Sequence, residues 1–337
     1  MEELHGADSA PTYLAFSPSG TRLAGSEYLK TRIWNLEVDH TTDVSLPSLP
    51  SGSSPTSPTL PEPVITSTPA PDQVDGEIKS GDCISSATKA KPYENSLGMR
   101  FVPVAITGGP SDGKTVLFSI WETRVKDYEA FIKENKGHEW PKVEWKQKDD
   151  HPAVMVRWED AHAFCKWLTI EDRKTGKLGR DEHYRLPTDH EWSCAVGIGR
   201  KEDAEVIPEA KSNKIAGIYP WGKKFPPPKG AGNYYGEETN NPVEDSKRIE
   251  GYSDGFDQTA PVGSFEVNEY GLYDMGGNVW EWCEDWFSPK QEKRVLRGAS
   301  WINPEESTLR SSRRNTYTPA TRRDFIGVRV IVAGGSD

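Results

Sequence analysis

The sequence predicts an α+β domain with little regular secondary structure, preceded by a short β-meander and a disordered linker. Three observations carry this expectation. Only 34% of the 337 residues are hydrophobic while the chain holds 30 glycines and 26 prolines, a composition that favours turns and loops over long helices. Composition shifts twice, from alternating apolar and polar positions to a Pro/Ser/Thr-rich tract near residue 38, then to an aromatic-rich sequence near residue 90. Beyond that point a few segments carry helical periodicity, and the remainder alternates in short runs.

Residues 1–37 include TYLAFSPSGTRLAGSEYLKTRIWNLE, which alternates in three runs: Tyr13–Phe16, Thr21–Ala24 and Thr31–Leu36. Ser17-Pro18-Ser19-Gly20 turns the chain between the first two. The pattern resembles a single repeat of the WD40 propeller family. Propeller blades bury their faces against one another and the sequence holds no second copy, so the segment reads as the last blade of an otherwise missing propeller, or a decayed remnant. Residues 38–90, including SLPSLPSGSSPTSPTLPEPVITSTPAPD, have almost no large apolar side chains. Such a tract cannot offset its chain entropy and is expected to be an extended, disordered spacer.

The remaining 91–337 form the expected folded domain. One helix is predicted over Arg124–Lys136, ending at Gly137. In VRWEDAHAFCKWLTIEDRKTGK, Ala161, Phe164, Cys165 and Leu168 recur at i, i+3, i+4 and i+7, giving one buried helical face before Gly176. In RLPTDHEWSCAV, Thr188 and Glu191 have capping-box spacing just after Pro187. From Gly199 onward the pattern is short strands and long Gly/Asn/Pro loops, and loops of that length need an internal tie.

The excess of 52 acidic over 41 basic residues gives a formal net charge of -11, which repels nucleic acid and anionic membranes and tolerates divalent cations. Neither nucleic acid nor membrane is an expected partner. No apolar run approaches a membrane span, and MEELHGADSAPTYLAF lacks the basic-then-apolar order of a leader, so a cytoplasmic location is expected. Cys83, Cys165, Cys194 and Cys283 are widely spaced without a CxxC pair, which argues against a disulfide scaffold or zinc finger.

The stretch GLYDMGGNVWEWCEDW (271–286) offers a tie for the loops. Asp274 and Glu281 flank a Gly-Gly turn whose flexible backbone can aim carbonyls at the same point, and hard oxygen ligands in a loop suit calcium. A second oxygen-rich stretch lies at Gly232-Asn233-Tyr234 and Ser253-Asp254-Gly255-Phe256. Acids near glycines occur in many surface loops, so spacing alone leaves both readings open.

The series NSLGMRFVPV, VRWEDAHAFCKWL, YRLPTDHEWSCA, YPWG, GLYDMGGNVWEWCEDW, RVLRGASW and IGVRV resembles the formylglycine-generating enzyme, or sulfatase-modifying factor, family in its order. The resemblance covers about residues 91–335. It implies a C-type-lectin-like fold stabilised by two structural calcium ions. The first site would use the Asn233 side chain, the Tyr234 carbonyl, Asp254 and the Phe256 carbonyl. The second would use Asp274, the Gly277 and Val279 carbonyls, and Glu281. Trp280, Trp282 and Trp286 are expected to pack beside the metal loop rather than to stack on sugars.

Oxidase members of that family hold copper(I) with two cysteines, in a stretch ending in a pattern like RCxxR. Soft thiolates suit copper(I), and oxygen ligands replace them poorly. Here the stretch reads PEESTLRSSRRN; the second cysteine's position falls on Ser311 and the first on or near Glu306. A related branch uses iron held by histidines, yet His5, His40, His138, His151, His162, His183 and His190 include no HxxxH pair. Copper and iron are therefore not expected. His162 and His190 read as helix-surface residues and His183 as a strand or loop residue. Cys283 reads as a small buried residue beside Trp282.

Arg310, Arg314 and Arg329 match positions the family commonly fills, implying planar partners for internal carboxylates such as those of Glu281–Asp285. Arg313, Arg322 and Arg323, with Ser311, can line a groove for a carboxylate, sulfate or phosphate, or form a solvated charged loop. Glu306, Arg310, Ser311, Arg313 and Arg314 are thus the pocket candidates. Ser311 lacks the nearby base that a nucleophile needs. The expected function is a calcium-stabilised ligand-binding or effector domain, taking an anionic group or a protein segment. The alternative is a superfamily oxidoreductase using non-haem iron or copper on a protein or small thiol substrate.

Overall fold

The computed structural model describes residues 83–239 and 247–335 in full, together with the backbone of three earlier strands. Those strands, Tyr13–Phe16 (β1), Arg22–Glu27 (β2) and Lys30–Asn35 (β3), pair antiparallel in chain order, with Tyr13 opposite Ser26 and Arg22 opposite Asn35. They form a compact unit of their own, separate from the larger unit that follows. Residues 38–82 of the expected linker lie outside the described residues. Its last eight depart from expectation: Cys83–Ser86 make a helical turn (α1), with Cys83 and Ala87 buried. A single turn that buries two small apolar residues is too short to register as periodicity.

Five strands build the main sheet: Tyr93–Glu94 (β4), Arg100–Ala105 (β5), Thr115–Ser119 (β6), Glu182–Arg185 (β7) and Ile331–Gly334 (β12), in the order β4-β5-β6-β12-β7. Side chains alternate between its faces, and both faces are covered. Phe101, Leu117 and Val332 enter one apolar cluster; Val102, Phe118 and Ile331 enter another. The first cluster is completed by Val125–Glu134 (α2) and Trp158–Lys174 (α3), the second by Asp189–Ala195 (α4). Two short helical turns follow, a 3₁₀ turn at Gly199–Lys201 and Pro208–Lys211 (α5). A smaller sheet contains Trp280–Trp286 (β8), Arg294–Arg297 (β9), Asn315–Tyr317 (β10) and Ile326–Gly327 (β11), ordered β10-β9-β8-β11, with β11 parallel to β8. Among the described residues no helix is long and apolar enough to cross a membrane.

Ala161, Phe164, Cys165 and Leu168 are all buried, as the spacing on α3 requires. Helix α2 stops at Glu134, short of the predicted Lys136, because the Asn135 side chain donates to the Phe131 carbonyl at 2.9 Å and ends the ladder. The capping box of α4 is formed in full: the Glu191 N–H donates to Thr188 Oγ1 at 3.1 Å, and the Thr188 N–H donates to Glu191 Oε2 at 2.8 Å.

Helix α4 opens on a buried ionic cluster. Asp189 Oδ1 accepts from Arg297 Nη1 at 2.6 Å and Arg314 Nε at 2.9 Å, while Oδ2 accepts from Arg314 Nη2 at 2.9 Å and faces Lys211 Nζ at 3.1 Å. Arg314 also pairs with Glu202 at 2.5 Å. Burial opposes ionising Asp189, but the guanidiniums of Arg297 and Arg314 outweigh it and hold the carboxyl far below the ordinary range. Losing one member of such a cluster leaves its partners charged and dry. Asp189→Asn is therefore expected to cost about 3 kcal/mol or more in urea unfolding, against about 1 kcal/mol for the cap variant Thr188→Ala.

The Asp285 carboxylate accepts the Asp189 N–H at 2.6 Å, and burial together with the Asp189 charge pushes Asp285 up to about 6. A carboxyl raised above its unfolded value of about 3.9 contributes most below that value, and the contribution is lost as pH rises through its folded pKa. Asp285→Asn is neutral throughout, so its melting temperature should gain on the parent between about pH 4 and about pH 8. An equal difference at both ends would exclude this titration.

Candidate functional site

The loops that the sequence marks as metal-binding meet at one buried amide. Asn278, fully buried and held at φ 59°, donates from Nδ2 to Glu122 Oε2 at 3.0 Å, and its Oδ1 accepts the Ala260 N–H at 2.9 Å and Asn233 Nδ2 at 3.2 Å. Its own N–H donates to the Asn233 carbonyl at 2.8 Å. The 233–234, 259–263 and 274–281 segments are thus pinned together. Gly277 adopts φ 83°, and a Cβ there would collide with the Asn233 backbone, so the second glycine of the Gly-Gly turn is required for this approach.

Each proposed ligand set contains oxygens without a protein partner. In the first, both Asp254 oxygens are held by backbone, Oδ2 by the Tyr234 N–H at 2.8 Å and Oδ1 by the Phe256 N–H at 3.0 Å. Asn233 Oδ1 and the neighbouring Glu238 Oε2 are buried without a hydrogen bond. Burial, then the adjacent Glu238 carboxyl, pushes Asp254 up to about 8. In the second, Asp274 Oδ2 accepts the Gly263 N–H at 2.6 Å while Oδ1 has no partner. Glu281 is fully engaged: Oε2 accepts Trp192 Nε1 at 2.8 Å and Oε1 accepts Arg329 Nε at 2.9 Å. Burial pushes Asp274 up to about 6, and burial with the Asp274 charge raises Glu122, whose Oε1 is likewise unpartnered.

These acids are under-neutralised, with one buried guanidinium, Arg329, among Glu122, Asp274 and Glu281. That is the environment a divalent cation relieves, and the unpartnered amide and carboxylate oxygens suit calcium. No group of three or more His, Cys, Asp or Glu able to hold a metal ion occurs among the described residues. A cage here needs backbone carbonyl and amide oxygens as well as carboxylates. The donor set fits calcium and does not suit copper(I).

The expected pocket does not assemble as one groove. Ser311 is buried, with Oγ unpartnered and its carbonyl accepting Arg297 Nη2 at 2.7 Å. Arg314 is buried in the Asp189 cluster, and Arg313 is partly buried behind a turn to the Arg310 carbonyl. Arg310 reaches Asn213 Oδ1 at 3.4 Å and lies 3.7 Å from Glu306. Glu306 lines a cleft of about 610 Å³, with Lys247, Arg248, Glu250, Pro304 and Glu305 also on its walls. Tyr219 donates its hydroxyl to Glu306 Oε1 at 2.6 Å.

The other charged candidates are also committed. Arg322 pairs with Asp160 at 2.9 Å and donates to the Met155 carbonyl, whereas Arg323 lies over the Tyr317 ring at 5.9 Å. Arg329 does meet Glu281, within the carboxylates expected of it, but Arg314 takes Asp189 and Glu202 instead. His190 is buried rather than on the helix surface; His162 is partly buried and pairs with Glu284 at 2.7 Å; His183 lies on β7. Trp280, Trp282 and Cys283 are buried, with Trp282 Nε1 donating to the Val156 carbonyl. Trp286 is partly buried and lies 3.5 Å from Arg294, whose other side faces Trp158 at 3.7 Å. Glu122, Glu238 and Asn278 escaped sequence reasoning because no local spacing links Glu122 to a loop 156 residues away.

The sequence profile of the sulfatase-modifying factor enzyme 1-like domain matches residues 110–333, about two thirds of the chain. The chain belongs to this family. It is 34% identical over 196 residues to the inactive C-alpha-formylglycine-generating enzyme 2 of Bos taurus, covering 56% of this chain and 53% of that protein. It is 32% identical over 200 residues to the formylglycine-generating enzyme of Mus musculus, covering 54% of this chain and 44% of that protein. The chain spans about half the length of the curated relatives it matches. Among solved structures, PvdO from Pseudomonas aeruginosa aligns over 72% of this chain and 98% of its own, at 22% identity and a TM-score of 0.48.

If Asn278 is the hub of these loops, Asn278→Ala should lower stability by about 3 kcal/mol or more in denaturant titration, since it strands Glu122 and two N–H donors. Asn278→Gly keeps the positive φ available; recovery of most stability by that variant would assign the cost to backbone geometry instead.

Proposed function

We propose that residues 91–337 form a calcium-stabilised ligand-binding or effector domain of C-type-lectin-like fold that lacks formylglycine-generating chemistry. The observation that carries this reading is the loss of the paired thiols. Glu306 and Ser311 stand at or near the expected cysteine positions, and the chain has no cysteine beyond Cys283. Cys83, Cys165, Cys194 and Cys283 are all buried, and none is in a disulfide. Similarity to a relative named as an inactive member supports the same conclusion.

Asn233, the Tyr234 carbonyl, Asp254 and the Phe256 carbonyl would hold one calcium ion; Asp274, the Gly277 and Val279 carbonyls, and Glu281 would hold the other. Bound calcium would supply the positive charge that these buried acids otherwise lack. The protein's own contribution is positional: the Asn278 bonds keep the loops in register, and Arg329 orients Glu281. The cleft beside Glu306, whose wall carries Lys247 and Arg248 together with Glu250 and Glu305, would take the anionic group or protein segment. The N-terminal meander would serve as a WD40-like blade.

Two measurements on the whole chain test this. Elemental analysis of protein prepared without chelator should find two calcium ions per chain, and chelation should lower the melting temperature. An unchanged melt would remove both sites. Incubation with copper(I) and a cysteine-containing sulfatase-type peptide should leave the cysteine intact by mass spectrometry; conversion to formylglycine would restore the oxidase reading.

A further inference from the structure

The chain leaving β6 runs alongside the Asp274 loop and is fastened to it by hydrogen bonds. The Tyr273 N–H donates to the Ile120 carbonyl at 2.8 Å. Arg329 bridges the two segments, with Nη1 on the Ser119 carbonyl and Nη2 on the Tyr273 carbonyl, each at 2.8 Å. Asn278 completes the clamp by donating from Nδ2 to Glu122 Oε2 at 3.0 Å. Glu122 is thereby held, 0% exposed, against the loop that carries Asp274 and Glu281.

The three carboxylates of this region are not used alike. Glu281 has a donor on each oxygen, Trp192 Nε1 on Oε2 and Arg329 Nε on Oε1. Asp274 and Glu122 each have one oxygen fixed and one orphaned. The Gly263 N–H holds Asp274 Oδ2 and Asn278 holds Glu122 Oε2, while Asp274 Oδ1 and Glu122 Oε1 have no partner. Asp274 is 4% exposed, so both orphans lie in the interior, where an anionic oxygen without a partner is costly. Arg329 commits its donors to Glu281 and to the Ser119 and Tyr273 carbonyls.

A hydrogen-bond donor would satisfy one of these oxygens, whereas a hard cation can meet both. Asp274, the Gly277 and Val279 carbonyls and Glu281 by themselves fall short of the about six to eight oxygens that calcium takes. Three buried carboxylates against one buried guanidinium leave two negative charges, which one divalent cation neutralises. We propose that Glu122 is a further ligand of the second calcium ion, supplying Oε1 together with Asp274 Oδ1. The assignment rests on the calcium reading of the Asp274 loop and adds a residue that the family resemblance does not imply. The ion would then join the end of β6 to the 274–281 loop, and so tie the main sheet to the loops.

The test uses the whole chain, stripped with EGTA and titrated with calcium chloride by calorimetry, with the melting temperature read before and after. Glu122→Gln keeps the side-chain length and an oxygen for Asn278 Nδ2, and replaces the other oxygen by an amide nitrogen that repels a cation. The parent should take up two calcium ions; E122Q should keep one unchanged and bind the other at least about tenfold more weakly. Asp274→Asn should weaken that same ion, so the doubly substituted chain should still bind one. The melts should cross: in EGTA E122Q should melt no lower than the parent, because a buried charge has been removed, and in calcium it should melt below it. A structural role alone would lower the E122Q melt in EGTA or prevent folding there, and either result would overturn the assignment. An E122Q titration that matches a two-calcium parent, or loss of both ions in the double variant, would overturn it while leaving the calcium reading in place. A parent chain that binds no calcium would overturn both.

Discussion

Four arginines, Arg124, Arg297, Arg314 and Arg329, are buried among the described residues, and a buried guanidinium must find a carboxylate. Asp189 answers two of them at once. Its carboxylate joins the start of α4 to β9, to the 311–314 segment and, through Lys211, to α5. Glu202 closes the same cluster from beyond the 3₁₀ turn. Removing any one charge would leave the others desolvated without compensation, so these elements are constrained to one arrangement. The constraint also explains why Arg314 is unavailable to a ligand. Its donors are spent inside the protein, and the chain around Ser311 is immobilised from within.

The second constraint concerns loops. Residues 212–279 include no helix or strand among those described, and their backbone groups need partners if they are buried. The Asn278 side chain meets both the N–H and the carbonyl of Ala260 and also the Asn233 and Glu122 side chains, which is possible because an amide both donates and accepts. Around it the acids outnumber the cations. Both Asp189 oxygens are thus engaged by cations, whereas near Asp274 the Asp274 Oδ1 and Glu122 Oε1 atoms are left to spare for a metal.

Much of the local structure was legible in the sequence because the groups that encode it lie within a turn of one another. The buried face of α3 follows from four apolar residues at helical spacing, and the α4 cap from Thr188 and Glu191 three residues apart. The burial of Trp280, Trp282 and Cys283 was also legible, since an aromatic-rich strand with few charges on its early positions has nowhere else to go. Helix α1 was not, because one short turn leaves no repeating pattern.

The sequence by itself determined the capped start of α4, the buried face of α3, and that the 304–315 stretch carries no cysteine. Tertiary structure alone decided which charges meet. Arg322 reaches Asp160, Arg314 reaches Asp189 across 125 positions, and Glu122 reaches Asn278 across 156. Composition specifies that a buried arginine needs an acid, but many acids satisfy that demand. The choice among them is made by chain topology, which decides which carboxylates come within hydrogen-bonding distance.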